Sequence, residues 1–385
     1  MHTPDPSPRM RLALLGRLSQ HPGRNRGGAS LRLGFLAKSW LAAGYAVDLL
    51  TSDPQHDDLF TELADLRGLR RIALPTGGKL RLLPRLAAYL WRQPPTALYA
   101  FDSRAAELAA LMVAARVYRG QFFSVFCSPG KRPDLQGNLG ISRRRRQRIA
   151  ATIRRSDKII AISAGLAEEY RKLEPIANEK LAVIYNGVLD LPTLNDAGPP
   201  PHPWLAKKDL PVLMSAGRLV KSKDFRTLLL ALHRVPRPVR LIILGEGPER
   251  ASLGKLALEL GLEGKIFFAG FVTHPQTWMF HADLFISSSL YEGFGNVIVE
   301  ALAAGCPVIA TDCPHGPREI IEQAGSGRLI PTGDAAALAA AITEGLELPP
   351  APAEAARLKI FTKDHAAAAY LDLLSFPCEQ NRKAR

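Results

Sequence analysis

The chain has 385 residues, 47% of them apolar and 22% charged, which excludes the disordered and fibrous classes. That length exceeds one ordinary domain and suits two of about 150–200 residues. Lysine and arginine number 50 against 36 acids, a net charge of +14. Residues 1–200 hold 30 basic and 17 acidic groups, and residues 201–385 hold 20 and 19. The excess therefore sits in the first half. It points to an anionic partner: nucleic acid, lipid headgroups or a phosphorylated substrate.

No run of about 18 uncharged apolar residues occurs, so a spanning helix is not expected. The run Leu12-Ala13-Leu14-Leu15 is too short for a secretory h-region. The cysteines, Cys127, Cys306, Cys313 and Cys378, are scattered and form no CxxC. That argues against a disulfide scaffold or a zinc site and suits a reducing cytoplasm.

In chain order, Met10–Leu15 reads as a strand, Gly23–Gly28 as a Gly-rich turn, and Ala29–Ala43 as a helix opened by Ser30. Tyr45–Leu50 completes a βαβ unit. Further strands are expected at Arg71–Leu74, Ala97–Phe101, Phe122–Phe126, Lys158–Ile162 and Leu181–Ile184. Alternation with helices predicts a parallel sheet covered on both faces. The Pro-rich stretch 191–209 reads as a linker that cannot hold a regular helix or a central strand. A second series follows, with strands at Val212–Ala216, Arg240–Leu244, Ile266–Ala269, Leu284–Ser287 and Pro307–Ala310. The expected organisation is a first domain over 1–190, a second over 210–351, and a helical tail over 352–385, its helix at Pro352–Leu374. The tail is placed back against the first domain. Two doubly wound domains facing across a cleft would bind ligands in the loops that follow strands.

Three such loops in the second half carry chemistry. Glu292-Gly293-Phe294-Gly295-Asn296-Val297 leads from a strand into a helix that contains Glu300. Glycines let backbone N–H groups approach a ligand, a helix start favours an anion, and carboxylates accept from sugar hydroxyls. A capped helix start with two solvated acids reads equally simply. Gly217-Arg218-Leu219 to Lys223 places two cations after another strand, as a diphosphate would require. Gly245-Glu246-Gly247-Pro248 is a third turn. In the first half, Gly27-Gly28 is not GxGxxG, and Asp48 lies inside the second strand, so NAD binding is disfavoured.

The order GRLxxxKD, GEGP, GFV (Gly270 to Val272), EGFGNVIVEALAAGCPVIATD and GPREI resembles the nucleotide-sugar domain of retaining family 4 glycosyltransferases with the GT-B fold. Ser156 to Ser163 and Ile184-Tyr185-Asn186-Gly187-Val188 extend the resemblance into the first half, over about residues 10–345. It implies that Arg218 and Lys223 hold the donor diphosphate, beside Gly217. Glu300 would bind the ribose and Glu292 the donor sugar. Gly293, Phe294, Gly295, Asn296 and Val297 would offer backbone groups to sugar and phosphate. Phe271 and Val272 would lie near the base, and Gly28 would face the diphosphate. No Asp-x-Asp is present, in keeping with transfer that needs no metal and no cofactor. Many relatives carry a histidine in the first domain where this chain reads Phe126-Cys127-Ser128. Asp102, Cys127 or Ser128 would then stand on the sugar or acceptor side.

Two basic stretches, Lys79–Arg92 and Arg143–Arg155, concentrate the charge of the first half. The first is apolar and aromatic as well, suited to an anionic membrane surface or to packing as an ordinary amphipathic helix. The expected enzyme moves a sugar from a UDP or GDP donor to an anionic glycolipid or lipid-linked saccharide, in the cytoplasm or on the cytoplasmic face of the inner membrane. A non-catalytic sugar-nucleotide binder and an epimerase are alternatives. A nucleic-acid-binding protein fits the charge, but no helix-turn-helix, finger or RNP-like strand is visible, so no nucleic-acid partner is expected.

Overall fold

The computed structural model describes residues 10–16, 28–52, 63, 66–75, 78–129, 132–133, 139–190 and 198–374. Gly27, the last cysteine, Cys378, and residues 191–197 of the expected linker lie outside the described residues.

The described chain divides into two compact units. The first contains a seven-stranded sheet in the order β3-β2-β1-β4-β5-β8-β9. Its strands are β1 (Arg11–Leu15), β2 (Ala46–Thr51), β3 (Leu69–Ala73), β4 (Ala97–Ala100), β5 (Gln121–Phe126), β8 (Lys158–Ala161) and β9 (Leu181–Val183). Between β5 and β8 lies a two-residue hairpin, β6 (Arg132–Pro133) and β7 (Leu139–Gly140). The second unit contains a six-stranded sheet in the order β12-β11-β10-β13-β14-β15. Its strands are β10 (Val212–Ala216), β11 (Arg240–Leu244), β12 (Ile266–Gly270), β13 (Leu284–Ser287), β14 (Val308–Thr311) and β15 (Arg328–Ile330). All pairings in both large sheets are parallel. Most central strands are buried on both faces, which is why they read as continuous apolar runs.

Strand order reverses between β1 and β4 in the first unit and between β10 and β13 in the second. These are the switch points, where the loops after neighbouring strands diverge and leave a crevice.

One buried charge is structural. Asp48, in the middle of β2, is fully buried. It accepts from Arg11 at 2.7 Å, from Arg70 Nε at 3.0 Å and from the Tyr89 hydroxyl at 2.6 Å. Two guanidinium groups and a phenol replace the water it gives up. Burial first, and the hydrogen bond to Asp48 second, push the Tyr89 phenol far above its ordinary pKa.

Four readings of local structure need correction. The first-unit helix runs Gly28–Ala42, so Ser30 lies inside its first turn and does not open it. Within the expected linker, Pro203–Ala206 forms one helical turn. Proline is compatible with the first turn of a helix, and His202 caps it through its side chain. Strand β15 was not expected, because three residues starting with an arginine give no apolar run. The expected helix Pro352–Leu374 is broken: Ala355–Leu358 and Lys363–Asp372 are separate. Thr362 leaves the helical backbone region and its N–H closes a turn on Lys359. Residues 363–374 group with the first unit. There the Trp40 indole donates to Ala367 O at 3.1 Å and the Tyr99 hydroxyl to Tyr370 O at 2.8 Å.

Candidate functional site

The loops after β10 and β13 flank the switch point of the second unit. After β10 the chain turns through Gly217, Arg218 and Leu219 and closes a 3-10 turn, Lys221–Lys223. The neighbouring loop after β11 holds it in place. Gly217 N donates to Leu244 O at 2.9 Å, and Leu219 N to Glu246 O at 2.8 Å. Gly245 makes this contact close: a Cβ there would stand 2.0 Å from Gly217 O. The GEGP turn is therefore a brace for the cation loop, and its glycines answer to backbone approach. Asp224 then takes a left-handed conformation and caps the helix Phe225–Arg234 by accepting from Thr227 N.

After β13 the loop is tied to the first one. Leu290 N donates to Ser222 O at 2.9 Å, and Ser288 Oγ to Lys223 O at 2.9 Å. Thr311, at the end of β14, donates its hydroxyl to Ser289 O at 2.5 Å. The two loops meet in an ion pair: Lys223 Nζ donates to Glu292 Oε1. The side chains are 21% and 10% exposed, so the pair is largely desolvated. Ser289 Oγ donates to the same oxygen at 2.7 Å. Behind the pair, burial pushes the Cys313 thiol up to about 12, and the Glu292 charge adds to that shift.

From Glu292 the loop runs to the helix Asn296–Ala303, whose N-cap is Gly295 at φ +107° with no side-chain cap. Ile298 N closes that start on Gly295 O at 2.9 Å, and the N-terminal end of a helix favours an anion. Glu300 is half-buried in the second turn of the helix. Phe294 is buried and its ring lies 5.9 Å from that of Phe361.

Arg218 is exposed, and among the described residues Lys223 is the one of the two cations that pairs with an acid. Phe271 and Val272 follow β12 at the sheet edge, and Phe271 is 50% exposed. In the first unit, Gly28 begins its helix, and Asp102 caps the helix Ser103–Ala114 by accepting from Ala105 N at 2.7 Å. Ser128 is exposed and its carbonyl accepts from the Tyr170 hydroxyl at 3.0 Å. Cys127 is half-buried against Arg32, a residue the sequence analysis did not single out. Among the described residues no group of three or more His, Cys, Asp and Glu side chains is arranged to hold a metal ion. No described helix is long and apolar enough to cross a membrane.

Two doubly wound α/β units, the second with a cation loop and a Gly-rich helix start at its switch point, define the GT-B class of sugar-transferring proteins. Comparisons with known proteins agree. Residues 201–361 match the family described as Glycosyl transferases group 1, and residues 26–189 match Glycosyltransferase Family 4. The chain belongs to the glycosyltransferase family that these two halves make up. It is 34% identical over 201 residues to the lipopolysaccharide core biosynthesis glycosyltransferase LpsE of Rhizobium meliloti, covering 50% of this chain and 54% of that one. It is 34% identical over 176 residues to the Campylobacter jejuni N-acetylgalactosamine-N,N'-diacetylbacillosaminyl-diphospho-undecaprenol 4-alpha-N-acetylgalactosaminyltransferase, covering 46% of this chain and 47% of that one. The matches span about half the length of these curated relatives. Among solved structures, Anabaena HepE in complex with UDP and glucose shares the fold at TM-score 0.70 and 22% identity, over 95% of this chain and 96% of that one.

Proposed function

We propose that this chain is a retaining glycosyltransferase that moves a sugar from a nucleotide donor to a glycolipid or lipid-linked saccharide in surface polysaccharide or lipopolysaccharide assembly. The observation that carries it is the Lys223–Glu292 pair, which joins the two switch-point loops of the second unit. Arg218 and Lys223 hold the donor diphosphate and take up charge as the nucleoside diphosphate leaves, together with the helix start at Asn296. Glu292 accepts from the donor sugar, Glu300 from the ribose, and Phe271 and Val272 stand by the base. Residues 210–351 form the donor domain and 1–190 the acceptor domain. The cations do the work a metal would otherwise do, so transfer needs none. Among the described residues none is assigned as a covalent nucleophile, and the proposed route is departure of the leaving group with entry of the acceptor on the same face. UDP is the favoured nucleotide, supported by the UDP held in HepE, with GDP second. Lipid-linked acceptors are supported by the names of the relatives.

The test is incubation with UDP- and GDP-sugars and a phosphorylated glycolipid, following nucleotide release and the anomeric signal by NMR. Expected are release of UDP, an anomeric configuration equal to the donor's, and no loss of rate with EDTA. Binding without turnover across the panel would make the chain a non-catalytic relative, and inversion would overturn retention.

The acceptor side is proposed to lie at an anionic membrane surface. The helix Lys79–Arg92 buries Leu82, Leu86, Tyr89 and Leu90 in the core of the first unit. Its outer face presents Arg81, Arg85 and Arg92, with Trp91 74% exposed. Basic side chains around an exposed indole suit headgroup contact, each cation adding about 1 kcal/mol near an anionic surface. In flotation, the protein is expected to rise with phosphatidylglycerol vesicles and not with phosphatidylcholine, and R81A/R85A/W91A to stay at the bottom. Equal flotation of the triple variant would contradict this contact.

A further inference from the structure

The first unit contains a buried cation that the proposed transfer leaves unused. Arg32, on the helix Gly28–Ala42, is 4% exposed. Its guanidinium donates to Cys127 Sγ at 2.7 Å and to Asn186 Oδ1. Both partners are neutral, and among the described residues no carboxylate pairs with it. Asp48 shows how this same unit treats a structural buried charge, with two opposite charges and a hydroxyl. A buried guanidinium without a counter-charge is costly and keeps donors to offer.

A second observation points to the same place. The Tyr370 hydroxyl is buried and has no hydrogen-bond partner. Its ring lies 5.8 Å from that of Phe101, whose carbonyl accepts from the Cys127 thiol at 3.3 Å, and Cys127 in turn meets Arg32 in the same unit. An orphaned donor beside a buried cation that no described carboxylate pairs is suited to receiving an oxyanion. The position fits as well. Cys127 follows β5, and its thiol donates to the carbonyl of Phe101, which follows β4. The cluster therefore stands at strand carboxyl ends beside the reversal between β1 and β4.

We propose that Arg32 and the Tyr370 hydroxyl form a phosphoryl-binding site in the first unit, with Asn186 orienting the guanidinium and Cys127 at its edge. This deepens the transfer reading by giving the acceptor half its own anion centre. The phosphoryl group belongs to a phosphorylated saccharide or to the nucleotide.

The test uses the full chain and follows alkylation of Cys127 by iodoacetamide with peptide mass spectrometry. Inorganic pyrophosphate is the probe. It is expected to slow Cys127 labelling several-fold in the wild type and to leave it unchanged in Arg32→Met. Tyr370→Phe is expected to raise the pyrophosphate concentration needed by about tenfold, one lost charge-assisted hydrogen bond. Arg32→Met should melt no lower than the wild type, since it removes an uncompensated buried charge at similar volume. Should it fail to fold, Tyr370→Phe and Arg32→Lys carry the same readout. Stronger protection by UDP than by glucose 6-phosphate assigns the phosphoryl group to the nucleotide, and the reverse order assigns it to the acceptor. Wild-type labelling indifferent to all three anions, or protection that survives in Arg32→Met, would overturn the site. Turnover without protection removes this site alone. Protection without turnover removes the transfer reading alone.

Discussion

Replacing Lys223 with alanine is expected to lower kcat/KM for sugar transfer by about 100- to 1,000-fold, the range seen when one donor to developing charge is removed. Glu292→Gln, which keeps the shape and removes the charge, is expected to fall in the same range. The geometry adds a sharper expectation. Lys223 and Glu292 share one contact, and Ser289 supports the same carboxylate oxygen. Each single change leaves the other charge in a largely desolvated loop. The double variant should therefore cost little more than the worse single. Steady-state rates for the four proteins of this cycle check it. Strictly multiplying losses would mean that the two residues act independently.

Gly316→Ala is the second large effect. Gly316 caps the helix Pro317–Ala324 at φ +88°, and a Cβ there would stand 1.7 Å from Phe294 O. Backbone must move, and what moves is the loop between Glu292 and the helix start at Asn296. Strain at such a position costs about 1–3 kcal/mol, and the clash places this one at the upper end, about 3 kcal/mol. A fall in melting temperature of about 6–12 °C corresponds to that. Gly333→Ala is the matched control. Gly333 has φ +70° with nothing within 4 Å of its Cβ position, so it carries the conformational cost without the clash. Differential scanning calorimetry on both variants separates the two contributions. Equal falls would show that the approach to Phe294 is relieved without cost.

How far the sequence alone reached follows from what each element had to advertise. Strands such as Val212–Ala216 and Leu284–Ser287 are buried on both faces, so they appeared as apolar runs with matching ends. Loops after strands were located with them, and those loops hold Gly217, Arg218, Lys223 and Glu292. The ion pair itself was not legible. Its partners are 69 residues apart and meet only because β13 pairs with β10. Arg32 was missed for a different reason. An arginine within an amphipathic helix reads as a solvated position, and its neighbours Cys127, Asn186 and Tyr370 come from distant segments. Asp48 was seen inside a strand, but nothing local told that Arg11, Arg70 and Tyr89 converge on it. The broken helix after Pro352 went unread because Thr362 carries no glycine or proline signal for the turn it ends.

The account rests on a nucleoside diphosphate binding between the loops after β10 and β13. Isothermal titration of UDP into the wild type, Arg218→Ala and Glu300→Ala tests this most directly. Saturable binding by the wild type is expected, with the dissociation constant raised at least about tenfold in each variant, the loss of one charge-assisted hydrogen bond. Neither UDP nor GDP binding to the wild type, or binding that ignores both substitutions, would contradict it.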